Sequence, residues 1–87
     1  MEQQEEQLLK QGDEADALLK QDTFNHVING LVEATFQAFV NSKPEDNDSR
    51  DRTYAHYRAL VDIVNTLQQR VSVRDQIMEK RNSSEEE

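Results

Sequence analysis

The sequence predicts an all-α protein: an antiparallel helical hairpin with a long C-terminal helix and a short N-terminal helix, oligomeric in solution. Three observations carry this reading. Apolar residues recur at steps of three and four over residues 23–41 and again over residues 54–78, the period of a helix face. The one proline, Pro44, falls between the two runs. The chain has 87 residues, 34% hydrophobic and 32% charged, so a lone hairpin is marginal and association would help.

Residues 1–12 are rich in Gln and Glu, with Leu8 and Leu9 as their apolar pair, and cannot offset chain entropy. They are expected to form a disordered or frayed acidic arm. Gly12 breaks the pattern, and Asp13 is placed to cap a short helix over residues 14–21, with Ala15, Leu18 and Leu19 on one side. Asp22 is a second cap candidate. The helix beyond it presents Phe24, Val27, Ile28, Leu31, Ala34, Thr35, Ala38 and Phe39 as one wide apolar face. Val32, Phe36 and Val40 lie outside that face, so the helix is apolar over much of its circumference and should be buried on more than one side. Gly30, Ala34 and Ala38 form a row of small residues that either admits a close neighbouring helix or is incidental.

Pro44 disfavours helix at Lys43, and a polar loop over residues 42–48 has the length that joins antiparallel neighbours. Asp48 or Ser49, or Asp46 in the turn before them, then caps a helix running to about residue 81, and Arg50 can reach an acidic group in the same turn. Tyr57, Leu60, Val64, Leu67, Val71, Arg74 and Met78 form a heptad-like, coiled-coil seam broken once, by Arg74. Residues 82–87 are expected to be a disordered acidic tail, which leaves residues 13–81 as the hairpin domain. The two long helices differ in length by roughly 20 Å at 1.5 Å per residue. Val71, Ile77 and Met78 therefore overhang, to be covered by Leu18 and Leu19 of the first helix or by a second protomer. The expected helix-packing interface comprises Phe24, Ile28, Leu31, Phe39, Tyr57, Leu60, Val64, Leu67, Val71 and Met78. Tyr54, Arg58 and Arg74 are the candidate partner surface, since aromatic residues and Arg are favoured at interface hot spots. Against that, Tyr57 can be core, with Tyr54 flanking it and its hydroxyl in water.

The net charge of −8 argues against nucleic acid and anionic membranes, whose recognition needs clustered Lys and Arg. Residues 1–22 hold seven acidic and two basic side chains, whereas residues 57–81 hold five basic and three acidic ones. The two ends can therefore attract each other. There is no cysteine, no apolar run long enough to span a membrane and no basic leader, so a soluble intracellular protein is expected. Chemistry is hard to assemble from these residues. His26 and His56 are far apart in sequence, and no His-x-x-x-His or Glu-x-x-His pair exists for a metal. The Asp46-Asn47-Asp48 stretch lacks the glycine and terminal Glu of a calcium loop. No serine has a neighbouring His–Asp pair, and the two glycines are isolated rather than part of a phosphate loop. A non-enzyme with no cofactor, no metal and no small-molecule substrate is expected.

One stretch resembles a known group. Phe39-Val40-Asn41-Ser42-Lys43-Pro44-Glu45-Asp46, followed by Arg50, Tyr54 and Ala59-Leu60, is similar to small helical-hairpin proteins of tailed bacteriophages. In those, a Ser/Thr-x-Pro-Glu-Asp turn joins two helices, and an Arg and an aromatic open the second of them. The likeness covers about half the chain. This sequence departs from it in having Phe39 where a tryptophan is expected, and in its acidic ends. The resemblance implies a small phage protein of the virion-building set, working in the host cytoplasm or incorporated in the virion, with no catalytic residue to carry over. The function expected is a structural or assembly protein that oligomerises through helix packing, its partner a second copy or another phage or host protein. The alternative is an acidic inhibitor or adaptor that binds a basic surface of a host protein.

Overall fold

The computed structural model describes the backbone of residues 2–86 and the side chains of residues 2–83. Those residues form three helices and no strand: α1 (Glu2–Leu19), α2 (Asp22–Val40) and α3 (Asn47–Glu86). The all-α class is the one the sequence predicts. The chain divides into two compact units. Asp22–Val64 holds α2 and the first part of α3, while Met1–Gln21 with Asn65–Glu87 holds α1 and the remainder of α3.

α1 is longer than the sequence led us to expect. The arm taken as disordered or frayed is helical from Glu2, and Gly12 lies inside the helix, so Asp13 is not an N-cap. Gln, Glu, Leu and Lys are good helix formers, and a single internal glycine costs only about 1 kcal/mol. Gly12 also has a packing role that sequence periodicity does not reveal. A Cβ placed there would lie 2.9 Å from the Arg70 carbonyl oxygen and collide with the Arg74 Cβ. The absence of a side chain is therefore what lets α1 lie against α3. Ala15, one turn further on, is the one buried apolar side chain among the described residues, at 2% exposure. Leu18 and Leu19 are half-buried beside it. Gly12 meets Arg70 and Arg74 while Glu5 reaches Arg81, so α1 runs antiparallel to this part of α3. Of the expected overhang, Val71 and Ile77 are thus half-buried within the chain itself, while Met78 stays exposed.

In the other unit, α2 ends by tightening. The Ser42 N–H donates to the Phe39 carbonyl at 3.2 Å, and the Ser42 hydroxyl donates to the same oxygen at 2.6 Å. These bonds satisfy one of the carbonyls that a helix end leaves free. Pro44 follows. The Asp46 N–H donates to the Lys43 carbonyl at 3.0 Å, and the Arg50 N–H donates to the Asp46 carbonyl at 3.1 Å. Asp46 therefore stands at the N-cap position of α3, one of the cap candidates the sequence offers beside Asp48 and Ser49. Asp48 falls in the first turn, where a negative charge meets the positive end of the helix dipole.

α3 also continues past residue 81, to Glu86. The tail expected to be disordered is helical over residues 82–86, and its last residue, Glu87, lies outside the described residues. A helix already formed extends by one bond for each residue fixed, and Glu supports that extension. No residue of Asp22–Val64 is buried; Phe24, Ile28, Val32, Phe39, Tyr57, Leu60, Val61 and Val64 are half-buried.

The two glycines should respond oppositely to the same substitution. Gly12→Ala should lower the thermal midpoint despite the better helix propensity of Ala, because overpacking costs about 1–3 kcal/mol. Gly30→Ala meets nothing within 4 Å and should stabilise by about 0.5–1 kcal/mol. Thermal unfolding followed by circular dichroism checks both signs.

Candidate protein-interaction surfaces

Arg74 organises the unit that contains α1. Its aliphatic stem lies against Gly12. Its guanidinium Nη1 donates to Asp13 Oδ1 and to Asp16 Oδ2, both at 3.1 Å, and its Nη2 donates to Asp75 Oδ1 at 2.9 Å. The side chain is 19% exposed. Asp16 Oδ2 also accepts from Lys20 Nζ at 3.0 Å. A looser pair, Arg81 Nε to Glu5 Oε1 at 4.0 Å, adds a second ionic contact between α1 and α3.

These charges hold one another in their ionised forms. The Lys20 ammonium, and after it the Arg74 guanidinium, hold the Asp16 carboxyl below the usual carboxylate range. Asp75 first, then Asp16 and Asp13, push Arg74 further up. Both groups move away from neutrality, the reverse of what a general acid or base at pH 7 requires. Arg74, read from sequence as a candidate partner residue and a break in the seam, is engaged inside the chain. Its position follows from Gly12, which leaves room for its stem.

In Asp22–Val64, the loop brings the end of α2 to the start of α3. The Arg50 guanidinium lies over the Phe39 ring, 4.9 Å from its centroid, a cation–π contact. The Tyr54 ring tilts at 51° to Phe39 with centroids 6.4 Å apart. The sequence led us to expect Arg50 to reach an acidic group in its own turn; it covers an aromatic ring instead. Thr35, Phe36, Phe39, Tyr54 and Tyr57 line a groove of about 180 Å³. Small-molecule sites run from about 300 Å³ upward, so the groove suits a single inserted side chain. Arg58, the remaining candidate partner residue, pairs with Asp62 one turn along α3 at 3.6 Å, with both side chains exposed.

Eight of the ten expected packing residues are half-buried: Phe24, Ile28, Phe39, Tyr57, Leu60, Val64, Leu67 and Val71. Leu31 and Met78 are exposed, as are Val27, Phe36, Val40, Tyr54 and Ile63. The sequence reading placed Ala15 on the apolar side of the first helix but missed the packing role of Gly12 and the pairing of Asp16. Gly12, Ala15 and Asp16 fall at i, i+3 and i+4 and so share one helix face, a signal that could have marked α1 as a docked helix. His26 and His56 are exposed and lie on different helices. Among the described residues no group of three His, Asp or Glu side chains is placed to hold a metal ion. No helix among them is long and apolar enough to cross a membrane. No family model matches the chain, and no curated protein or solved structure matches it either.

The ionic cluster makes α1 docking sensitive to acid. Because folding lowers the pKa of Asp16, its contribution is complete above the unfolded value of about 4 and is lost as the pH falls through the folded value. Asp16→Asn should therefore lower the thermal midpoint at pH 7, and the gap from the parent chain should close as the pH drops below about 4. Melting curves of both proteins across that range check the sign.

Proposed function

We propose that this chain is a non-enzymatic protein–protein interaction module, an antiparallel helical hairpin that self-associates through helix packing. The observation that carries this reading is its surface. Much of the exposed apolar surface lies on α2, whose Val27, Leu31, Phe36 and Val40 all face solvent. Val27 and Leu31 share one face of that helix, and exposed apolar patches mark interaction sites in soluble proteins. The turn from Phe39 to Asp46, with Arg50 and Tyr54, supports the more concrete form of the proposal, a small bacteriophage structural or assembly subunit that works in the host cytoplasm or in the virion.

A second reading, an acidic inhibitor or adaptor on a basic host surface, draws support from α1. Glu2, Glu6 and Glu14 are exposed on a formed helix and not on a flexible arm. Salt separates the two readings. Apolar self-association holds its mass as ionic strength rises, while binding through carboxylates weakens steeply.

Light scattering over a range of protein concentrations should give a multiple of the chain mass, falling on dilution and unchanged by added salt. A single-chain mass at every concentration would overturn self-association.

A further inference from the structure

On α2, Val27, Leu31, Ala34 and Ala38 are all exposed and follow one another at steps of four, three and four, the spacing of a coiled-coil seam. Val27 is 51% and Leu31 47% exposed. The ground beside them is open, since a Cβ at Gly30 would meet nothing within 4 Å. We infer that this face binds the same face of a second copy in antiparallel orientation, with Val27 opposite Ala38 and Leu31 opposite Ala34 of the other chain. The inference rests on the self-association proposed above and names its surface and direction.

The order of side-chain sizes selects the occupant. Two large residues followed by two small ones become self-complementary only when the second copy is reversed. Each large side chain then faces a small one across a two-fold axis, and the gap between the helices stays even. A parallel pairing sets large against large and small against small, which leaves a clash at one end and a void at the other. An isologous contact of this kind is the commonest route to a closed dimer.

Charge agrees with size. At a net charge of −8 two copies repel, so a self-contact belongs where the chain is least charged. Apart from His26, residues 23–42 hold one ionisable side chain, Glu33, and the Gln37 side chain donates to its carboxylate at 3.0 Å along the same helix. The reversed register also brings Asp22, at the start of one α2, level with Lys43, just past the end of the other. The two-fold axis makes that opposite-charge pairing twice.

The parent chain has no cysteine, so single cysteines report the geometry directly. Val27→Cys and Ala38→Cys are prepared separately in the full chain, then oxidised gently alone and mixed, with mass and helicity measured on the same samples. In the reversed pairing the two copies of position 27 are about 16 Å apart along the axis, beyond the roughly 7 Å that a disulfide can bridge. The expected result is a disulfide-linked heterodimer in the mixture and no disulfide in either variant alone. Homodisulfides in the separate variants would show a parallel pairing and overturn the inference. An oligomeric mass with no disulfide in any sample would also overturn it, while leaving self-association intact through another surface such as the Phe36–Tyr54 groove. A single-chain mass for the parent would remove both. As a check without cysteine, Ala34→Glu at this exposed helical site should reduce the mass to one chain with helicity retained; an unchanged mass would overturn the inference.

Discussion

How close α1 can come to α3 is decided at Gly12, and the rest of that unit depends on the closeness. With no side chain at Gly12, the Arg74 stem lies against α1, and its guanidinium reaches both Asp13 and Asp16. Ala15 completes the contact as the one buried apolar side chain among the described residues. Shape and charge are coupled here, because the ionic cluster can form only where the two helix surfaces meet without an intervening side chain. Exposed ion pairs contribute little by themselves, so the fit around Gly12 carries more of the selectivity than the carboxylates do.

The unit formed by Asp22–Val64 has no equivalent fastening. Its strongest local feature is the stack of Arg50, Phe39 and Tyr54 at the loop, and none of its side chains is fully buried. The most apolar helix of the chain is therefore also one with large side chains in water. A single facing helix can cover only one side of a helix that is apolar over much of its circumference. The remaining apolar surface has a use when another chain covers it, and this is the physical basis for reading the protein as an interaction module.

Much of the architecture was legible in the sequence because helix periodicity is strong wherever apolar residues are dense. Phe24 to Phe39 and Tyr57 to Val71 mark α2 and α3, and Pro44 marks the break between them. The ends of the chain were less legible. Residues 2–12 and 82–86 have too few apolar side chains to show a period: α1 rests on the helix propensity of Glu, Gln and Lys and on a packing contact made through a glycine, and residues 82–86 extend a helix already formed. Glycine is ambiguous by nature: the property that marks it as a helix breaker also permits close approach. Arg50 and Arg74 were incompletely read for a related reason. Arg50 was given an acidic neighbour and Arg74 the role of a break in the seam, but an Arg side chain is mostly aliphatic or planar and packs against a helix or an aromatic ring as readily as it pairs with a carboxylate.

Under the proposed self-association, the exposed side of α2 is covered by another copy of the chain. Amide hydrogen exchange measured at several protein concentrations tests it most directly, because protection reports the local cost of opening. Amides of α2 should gain protection as concentration rises, while those of α1, which is fastened within its own chain at Gly12 and Arg74, should gain much less. Protection of α2 that stays the same from dilute to concentrated solution would contradict it.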